Sequence, residues 1–219
     1  VDFLIVSFII LYIYILITIR YIFKKDIIMS VTKYIKVFQV IKKPETIGNL
    51  IRVLNKLHKE KRFRSGAIMA DQGKNQVVDK DIRNVEILPL SSKSDSLTEV
   101  HWCNYIIYLL KDAMSKYHQE FPDVPPVQIN EVQALRYEKT GHYGFHIDDG
   151  PGTFRRLSAI LILNNDYEGG NLQFKIDKEI LTIPNKPGNL VIWPSNFIFP
   201  HGVTPITKGV RYSIVAWMV

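Results

Sequence analysis

The spacing of apolar residues changes along this chain, and each change predicts a different kind of element. Residues 3–19 run without a charge, with Ser7 and Thr18 as the only small polar residues, and Tyr21 to Phe23 follow Arg20. That is about the length needed to cross a bilayer, so residues 3–23 are predicted as a transmembrane signal anchor. From Pro44 to Leu57 the apolar positions Ile47, Leu50, Ile51, Leu54 and Leu57 recur at helical intervals, with Lys43-Pro44-Glu45-Thr46 as the start of an amphipathic helix. Residues 65–96 lose this pattern, become rich in Ser, Asp, Lys and Asn, and read as a mobile loop with a short strand around Val85 to Leu88. Helical spacing returns from Leu97 to His118, through Trp102, Ile106, Leu109, Leu110 and Ala113, until Phe121-Pro122-Asp123-Val124-Pro125-Pro126 stops it.

From Val127 the period drops to two. Strands are predicted at Glu131 to Tyr137, Gly144 to Ile147, Arg156 to Leu163, Asn171 to Ile176, Glu179 to Ile183, Asn189 to Trp193 and Val210 to Trp217. Turn residues separate them at Asp149-Gly150-Pro151-Gly152, Asp166-Tyr167-Glu168-Gly169-Gly170 and Asn185-Lys186-Pro187-Gly188. The stretch around His201 reads as a turn between two extended apolar segments. Short antiparallel strands of this number predict an α+β, mostly β chain: a double-stranded β-helix (jelly roll) over residues 127–219, supported by N-terminal helices within residues 29–126.

Residues 1–28 carry two readings. Asp2 precedes the apolar run and Arg20, Lys24 and Lys25 follow it, so a signal anchor would leave the rest of the chain in the cytoplasm. Alternatively, Met29-Ser30-Val31-Thr32-Lys33 looks like the start of a soluble protein, and the Ile-, Leu-, Phe-, Tyr- and Lys-rich stretch before it is a spurious N-terminal extension, such as an AT-rich region gives when translated in frame.

Composition narrows the function classes. The formal charge of +7 invites a nucleic-acid partner, and Lys56 to Arg64 is the densest basic run, but the same run is read more simply as the C-terminal end of a helix. The single cysteine, Cys103, excludes an internal disulfide and sits among core residues, which fits a reducing compartment.

The chemistry concentrates in the strand region. His146-Ile147-Asp148 places two metal-ligating side chains two residues apart, hence on one side of a strand. With His201 from a neighbouring strand they make a two-histidine, one-carboxylate facial triad, which leaves positions open on a ferrous ion for substrate and oxygen. Arg211 follows His201 by ten residues, and its planar guanidinium matches a carboxylate in bidentate fashion. His142 is near the triad but wrongly spaced to share its strand face.

These residues, with Arg136-Tyr137-Glu138, Tyr143 to Asp148, Arg156-Leu157-Ser158, Leu163-Asn164, Glu168 to Phe174 and the stretch from Pro200 to Trp217, resemble the prolyl 4-hydroxylase-like branch of the iron(II)/2-oxoglutarate dioxygenases. The resemblance covers residues 127–219. It implies that His146, Asp148 and His201 hold Fe(II), that Arg211 pairs with the distal carboxylate of the cosubstrate 2-oxoglutarate, and that Tyr137 lines the same pocket. Thr204 and Ser213 are candidates for further hydrogen bonds there, each equally readable as an ordinary strand hydroxyl. It also implies use of O2, ascorbate as reductant, release of succinate and CO2, and hydroxylation of a peptide or protein side chain, proline first. Relatives can carry a tyrosine just before Leu163-Asn164 that helps bind the distal carboxylate, and here that position is Ile162. An oxidative nucleic-acid demethylase is the alternative enzyme, but that group places a second arginine six residues after the cosubstrate arginine, where this chain has Trp217. A non-catalytic jelly-roll binding module would have no use for the triad and Arg211 together.

Overall fold

In the computed structural model, residues 2–70 and 74–219 are described, with all their side chains except those of residues 2–10, 23 and 29. Residues 71–73, inside the predicted loop, therefore lie outside the described residues. The chain divides into two units, Val1–Tyr34 and Ile35–Val219. The first is one helix, α1 (Asp2–Thr32). The expected membrane span at residues 3–23 falls partly on side chains outside those described. Over the rest of α1, Arg20, Lys24, Lys25 and Asp26 interrupt the apolar run, and among the described residues no helix is long and apolar enough to cross a membrane.

The second unit is built on two antiparallel sheets. The larger has seven strands in the order Lys36–Gln39, Asn189–Pro194, Leu157–Ile162, Arg211–Met218, Ile129–Tyr137, Glu86–Pro89 and Arg64–Ser65. The smaller has five, in the order Glu179–Thr182, Leu172–Ile176, His201–Val203, His142–His146 and Arg83–Asn84. Phe174 and His201 of the smaller sheet meet Trp193 of the larger, with ring centroids 5.1 and 4.7 Å away, so the two sheets face each other as in a double-stranded β-helix.

Strand alternation decides what each face of the larger sheet does. Tyr212, Ile214, Ala216 and Met218, with Leu157, Ala159 and Leu161, join one hydrophobic core with Leu50 and Leu54 of helix α2 (Pro44–Lys59) and Ile106, Leu110 and Ala113 of helix α3 (Leu97–Glu120). The intervening residues Arg211, Ser213, Ser158 and Ile162 are just as buried but lie outside that core, on the opposite face. Polar side chains in the middle of fully buried strands thus point between the sheets.

The helix termini follow ordinary capping chemistry. Pro44 opens α2 where no N–H partner is needed, Glu45 lies in its first turn, and Lys56, His58 and Lys59 lie in its last. Ser96 caps α3 by accepting the Glu99 N–H at 3.4 Å, and the buried Glu99 carboxylate receives Ser94 at 2.9 Å and Arg62 at 3.0 Å. Part of the basic run at 56–64 is therefore engaged in ion pairs within the fold, including Lys56 with Glu60 at 3.8 Å.

Several elements exceed what spacing alone predicts. The turn expected around His201 contains the strand His201–Val203, too short for alternation to reveal and formed because both neighbours offer it ladder partners. Residues 65–96 hold the short strand expected around Val85 to Leu88, at Glu86–Pro89 in the larger sheet, and beyond it Arg83–Asn84 in the smaller sheet and an antiparallel pair, Ile68–Ala70 with Asn75–Val77.

His142 ties this segment to the smaller sheet. Its Nδ1 lies 2.9 Å from the Thr140 carbonyl and its Nε2 3.0 Å from the Asp81 carbonyl. Neutral imidazole has one N–H, so only the protonated ring donates to both. The Thr140 carbonyl foremost, then the Asp81 carbonyl, push its pKa up, with the Asp81 charge adding to them. A raised folded pKa means the clamp is complete below the unfolded value of about 6.5 and is lost as pH rises through the folded value. Hydrogen exchange across residues 79–84, corrected for intrinsic rate, is expected to show weaker protection at high pH, and His142→Phe should remove that dependence. Equal protection at both pH values would refute the clamp.

Candidate active site

His146 is the last residue of its strand and His201 the first of the adjacent one, and the register sets them directly opposite each other. Asp148 was expected to share a strand with His146. The strand in fact ends at His146, and Asp148 lies in the following bend, where Asp149 donates its N–H to the Ser195 carbonyl at 3.0 Å. The bend still brings the carboxylate to both imidazoles: Oδ1 is 3.5 Å from His146 Nε2 and Oδ2 3.3 Å from His201 Nε2. One ligand atom from each of the three residues lies within 4.8 Å of the other two.

The surroundings orient all three donors. His146 Nδ1 faces the Gly144 carbonyl at 2.9 Å and His201 Nδ1 the Phe199 carbonyl at 3.1 Å. A carbonyl can only accept, so each ring carries a proton on Nδ1, and its Nε2 faces the common centre, where it can donate to Asp148 or, when deprotonated, offer a lone pair to a metal. Burial lowers the His146 pKa, the charge of His201 adding to it, which favours the neutral form a metal needs. Burial alone would raise Asp148, but His201 and His146 hold it well below the usual carboxylate range. The Tyr143 ring stacks on His146 at 3.6 Å, and burial pushes its phenol up to about 12. Two nitrogen donors and one carboxylate, each fixed from behind, suit a divalent transition metal.

Ser158 and Ser195 were not singled out by spacing as support for this cluster. Ser158 Oγ donates to Asp148 Oδ2 at 2.6 Å and lies 2.8 Å from Ser195 Oγ. The available signal was a serine inside the apolar strand Leu157–Ile162, at a position of the inward-facing set. Ser158→Ala is expected to lower metal affinity about 10–100-fold, measured by chelator competition. Unchanged affinity would show that Asp148 needs no such partner.

Arg211 is fully buried and sits opposite Tyr137 in the ladder, its guanidinium 5.2 Å from that ring. Its Nη1 donates to Ser213 Oγ at 2.8 Å, while its Nε and Nη2 are buried without a partner. Burial raises the Tyr137 phenol; Arg211 and Arg83 pull it back and the Asp148 charge pushes it up, so Tyr137 stands within the field of both the arginine and the cluster. The Thr204 hydroxyl accepts the Asn171 N–H at 2.9 Å, closing the turn ahead of strand Leu172–Ile176. A cavity of about 340 Å³ reaches His146 and Asp148, walled by Ile68, Met69, Ile82 and Ile147, with Arg155 on its rim. The Arg155 guanidinium lies 3.7 Å from the Trp217 ring centroid and 3.9 Å from Asp148 Oδ1.

Residues 132–219 match the 2OG-Fe(II) oxygenase superfamily model. A PKHD-type hydroxylase of Crocosphaera subtropica is 33% identical over 102 residues, 43% of this chain and 45% of that protein. Human prolyl 3-hydroxylase 1 is 43% identical over 106 residues, 41% of this chain but 14% of that protein. The chain thus spans under half the length of either relative. Among solved structures, a Trichoplax adhaerens prolyl hydroxylase, in complex with a hypoxia inducible factor oxygen degradation domain peptide fragment, superposes with a TM-score of 0.72 at 16% identity, covering 85% of this chain and 84% of that one. A Pseudomonas putida prolyl-4-hydroxylase gives 0.64 at 19% identity, covering 84% and 91%. By sequence over residues 132–219 the chain is similar to the 2OG-Fe(II) oxygenase superfamily, and by fold over most of its length it is similar to these two prolyl hydroxylases.

Proposed function

We propose that this protein is an iron(II)- and 2-oxoglutarate-dependent dioxygenase that hydroxylates a peptide or protein side chain, proline first. The observation that carries the reading is a pair of unmet demands in one interior. Three oriented donors converge near a cavity, and the buried Arg211, flanked by Tyr137, keeps two N–H groups without a partner. Leaving such groups unpaired is costly, and a carboxylate is their natural complement.

In this reading His146, Asp148 and His201 hold Fe(II), and Arg211, set by Ser213, seats the distal carboxylate of 2-oxoglutarate beside Tyr137. When bound, the metal with 2-oxoglutarate and O2 supplies oxidation of a substrate C–H bond, with release of succinate and CO2, and ascorbate serves as reductant. The chain's own contribution is orientation and exclusion of water. The carbonyls of Gly144 and Phe199 hold the imidazole tautomers, Ser158 holds the carboxylate, and the aromatic wall of Phe174 and Trp193 keeps the cluster dry.

A peptide substrate is supported by the apolar walls of the cavity and by the relatives named as prolyl hydroxylases, one bound to a peptide. A proline-rich segment already favours the extended polyproline II shape, so little entropy is lost on binding. Within the basic run Lys56 and Arg62 are paired with Glu60 and Glu99, which leaves less of its charge for a nucleic-acid substrate. The buried, free Cys103 suits the cytoplasm. The test is incubation with Fe(II), 2-oxoglutarate, ascorbate and air against proline-rich and lysine-rich peptide libraries. A one-oxygen mass gain at proline is expected. Gain only at lysine, or only on a nucleic acid, would overturn the prolyl assignment.

A further inference from the structure

The seat around Arg211 has a second polar group that strand spacing did not reveal. Tyr167 lies in the turn after strand Leu157–Ile162, and its hydroxyl is buried without a hydrogen-bond partner. It is beside the arginine: a Cβ built on Gly170 would come within 3.0 Å of both Arg211 Cδ and Tyr167 Cε2. Gly170 has φ +61°, and the missing side chain is what lets the turn fold over the guanidinium. Burial raises the Tyr167 phenol, and the Arg211 charge together with the approach of its guanidinium to the hydroxyl pulls it back, so the two side chains lie against each other. Ile162, across the ladder from Ser213, has no polar atom to offer.

We propose that Tyr167 is a specificity-determining residue of the cosubstrate seat, its hydroxyl donating to the distal carboxylate that Arg211 receives. The inference rests on the proposed use of 2-oxoglutarate and adds the residue that completes the seat. A buried arginine edge and the buried hydroxyl beside it, neither in a well-formed hydrogen bond, would together complement an anionic oxygen pair. Neither group would gain from an apolar chain end. The turn carrying Tyr167 also carries Gly169 and Gly170 against Pro205 and Ile206, so this loop, rather than strand Leu157–Ile162, brings the hydroxyl.

The experiment is anaerobic calorimetry on the full chain loaded with Mn(II), titrating 2-oxoglutarate and 2-oxopentanoate, which is of equal length but lacks the distal carboxylate. Tyr167→Phe is expected to weaken 2-oxoglutarate binding about 10–100-fold, the range for one hydrogen bond to a charged group, and to leave 2-oxopentanoate unchanged. Equal weakening of both acids, or no weakening of either, would overturn the role of Tyr167. Failure of the unsubstituted protein to bind 2-oxoglutarate at all would instead overturn the functional reading on which it rests.

Discussion

With His201 replaced by alanine, metal-saturated protein is expected to release no succinate above background, and its affinity for Fe(II) or Mn(II) should collapse. His201 supplies one of three donors, and the remaining two lie on one side of the centre, on the strand end and bend at His146 and Asp148. Two ligands cannot hold an ion in facial geometry. The substitution also removes the group that does most to keep the buried Asp148 ionised, at 3.3 Å from its Oδ2. A buried carboxylate that loses its partner is costly to the fold, so the metal-free variant should also lose stability, on the order of 3–5 kcal/mol if Asp148 stays charged and less if it takes up a proton. Metal affinity by chelator competition, succinate by mass spectrometry and thermal unfolding separate these effects. Iron-dependent turnover at the original rate would sink the triad assignment.

How far the sequence led depends on whether the deciding physics was local. Two-residue alternation is local, so the buried strands Leu157–Ile162 and Arg211–Met218 were found to within about two residues of their ends. The helices α2 and α3 were legible for the same reason, their apolar stripes being continuous. His201–Val203 was not, because three residues hold no period and the strand exists through its two neighbours. Within 65–96 the same holds for Arg83–Asn84 and for Ile68–Ala70 with Asn75–Val77, where polar composition describes an exposed surface whether or not the backbone pairs, whereas the apolar run at Val85 to Leu88 did mark the strand Glu86–Pro89. At the site, His146 and Asp148 were legible from spacing although the reason differed: a bend tied to Ser195 does what a continued strand was expected to do. Ser158, Ser195 and Tyr167 were not, since each acts on a residue distant in the chain and a hydroxyl alone carries no mark of its partner.

Arg211→Lys is expected to raise the 2-oxoglutarate requirement about 10–100-fold while leaving metal affinity nearly unchanged. The guanidinium is locked by Ser213 through Nη1 and keeps Nε and Nη2 unpaired. Those N–H groups form a planar edge that meets both oxygens of a carboxylate at once. Lysine keeps the charge but presents a compact ammonium on a flexible stem, so it loses the Ser213 contact and at least one of the two parallel bonds. One hydrogen bond to a charged group is worth about 1.5–3 kcal/mol, which sets the expected range. None of the ligand atoms of His146, Asp148 or His201 has Arg211 as its hydrogen-bond partner, so the metal should not register the change. The apparent KM for 2-oxoglutarate, measured beside Mn(II) affinity by chelator competition, tests the separation. A loss of metal binding would place Arg211 in the framework of the cluster, and an unchanged KM would place the cosubstrate's counter-ion on another residue.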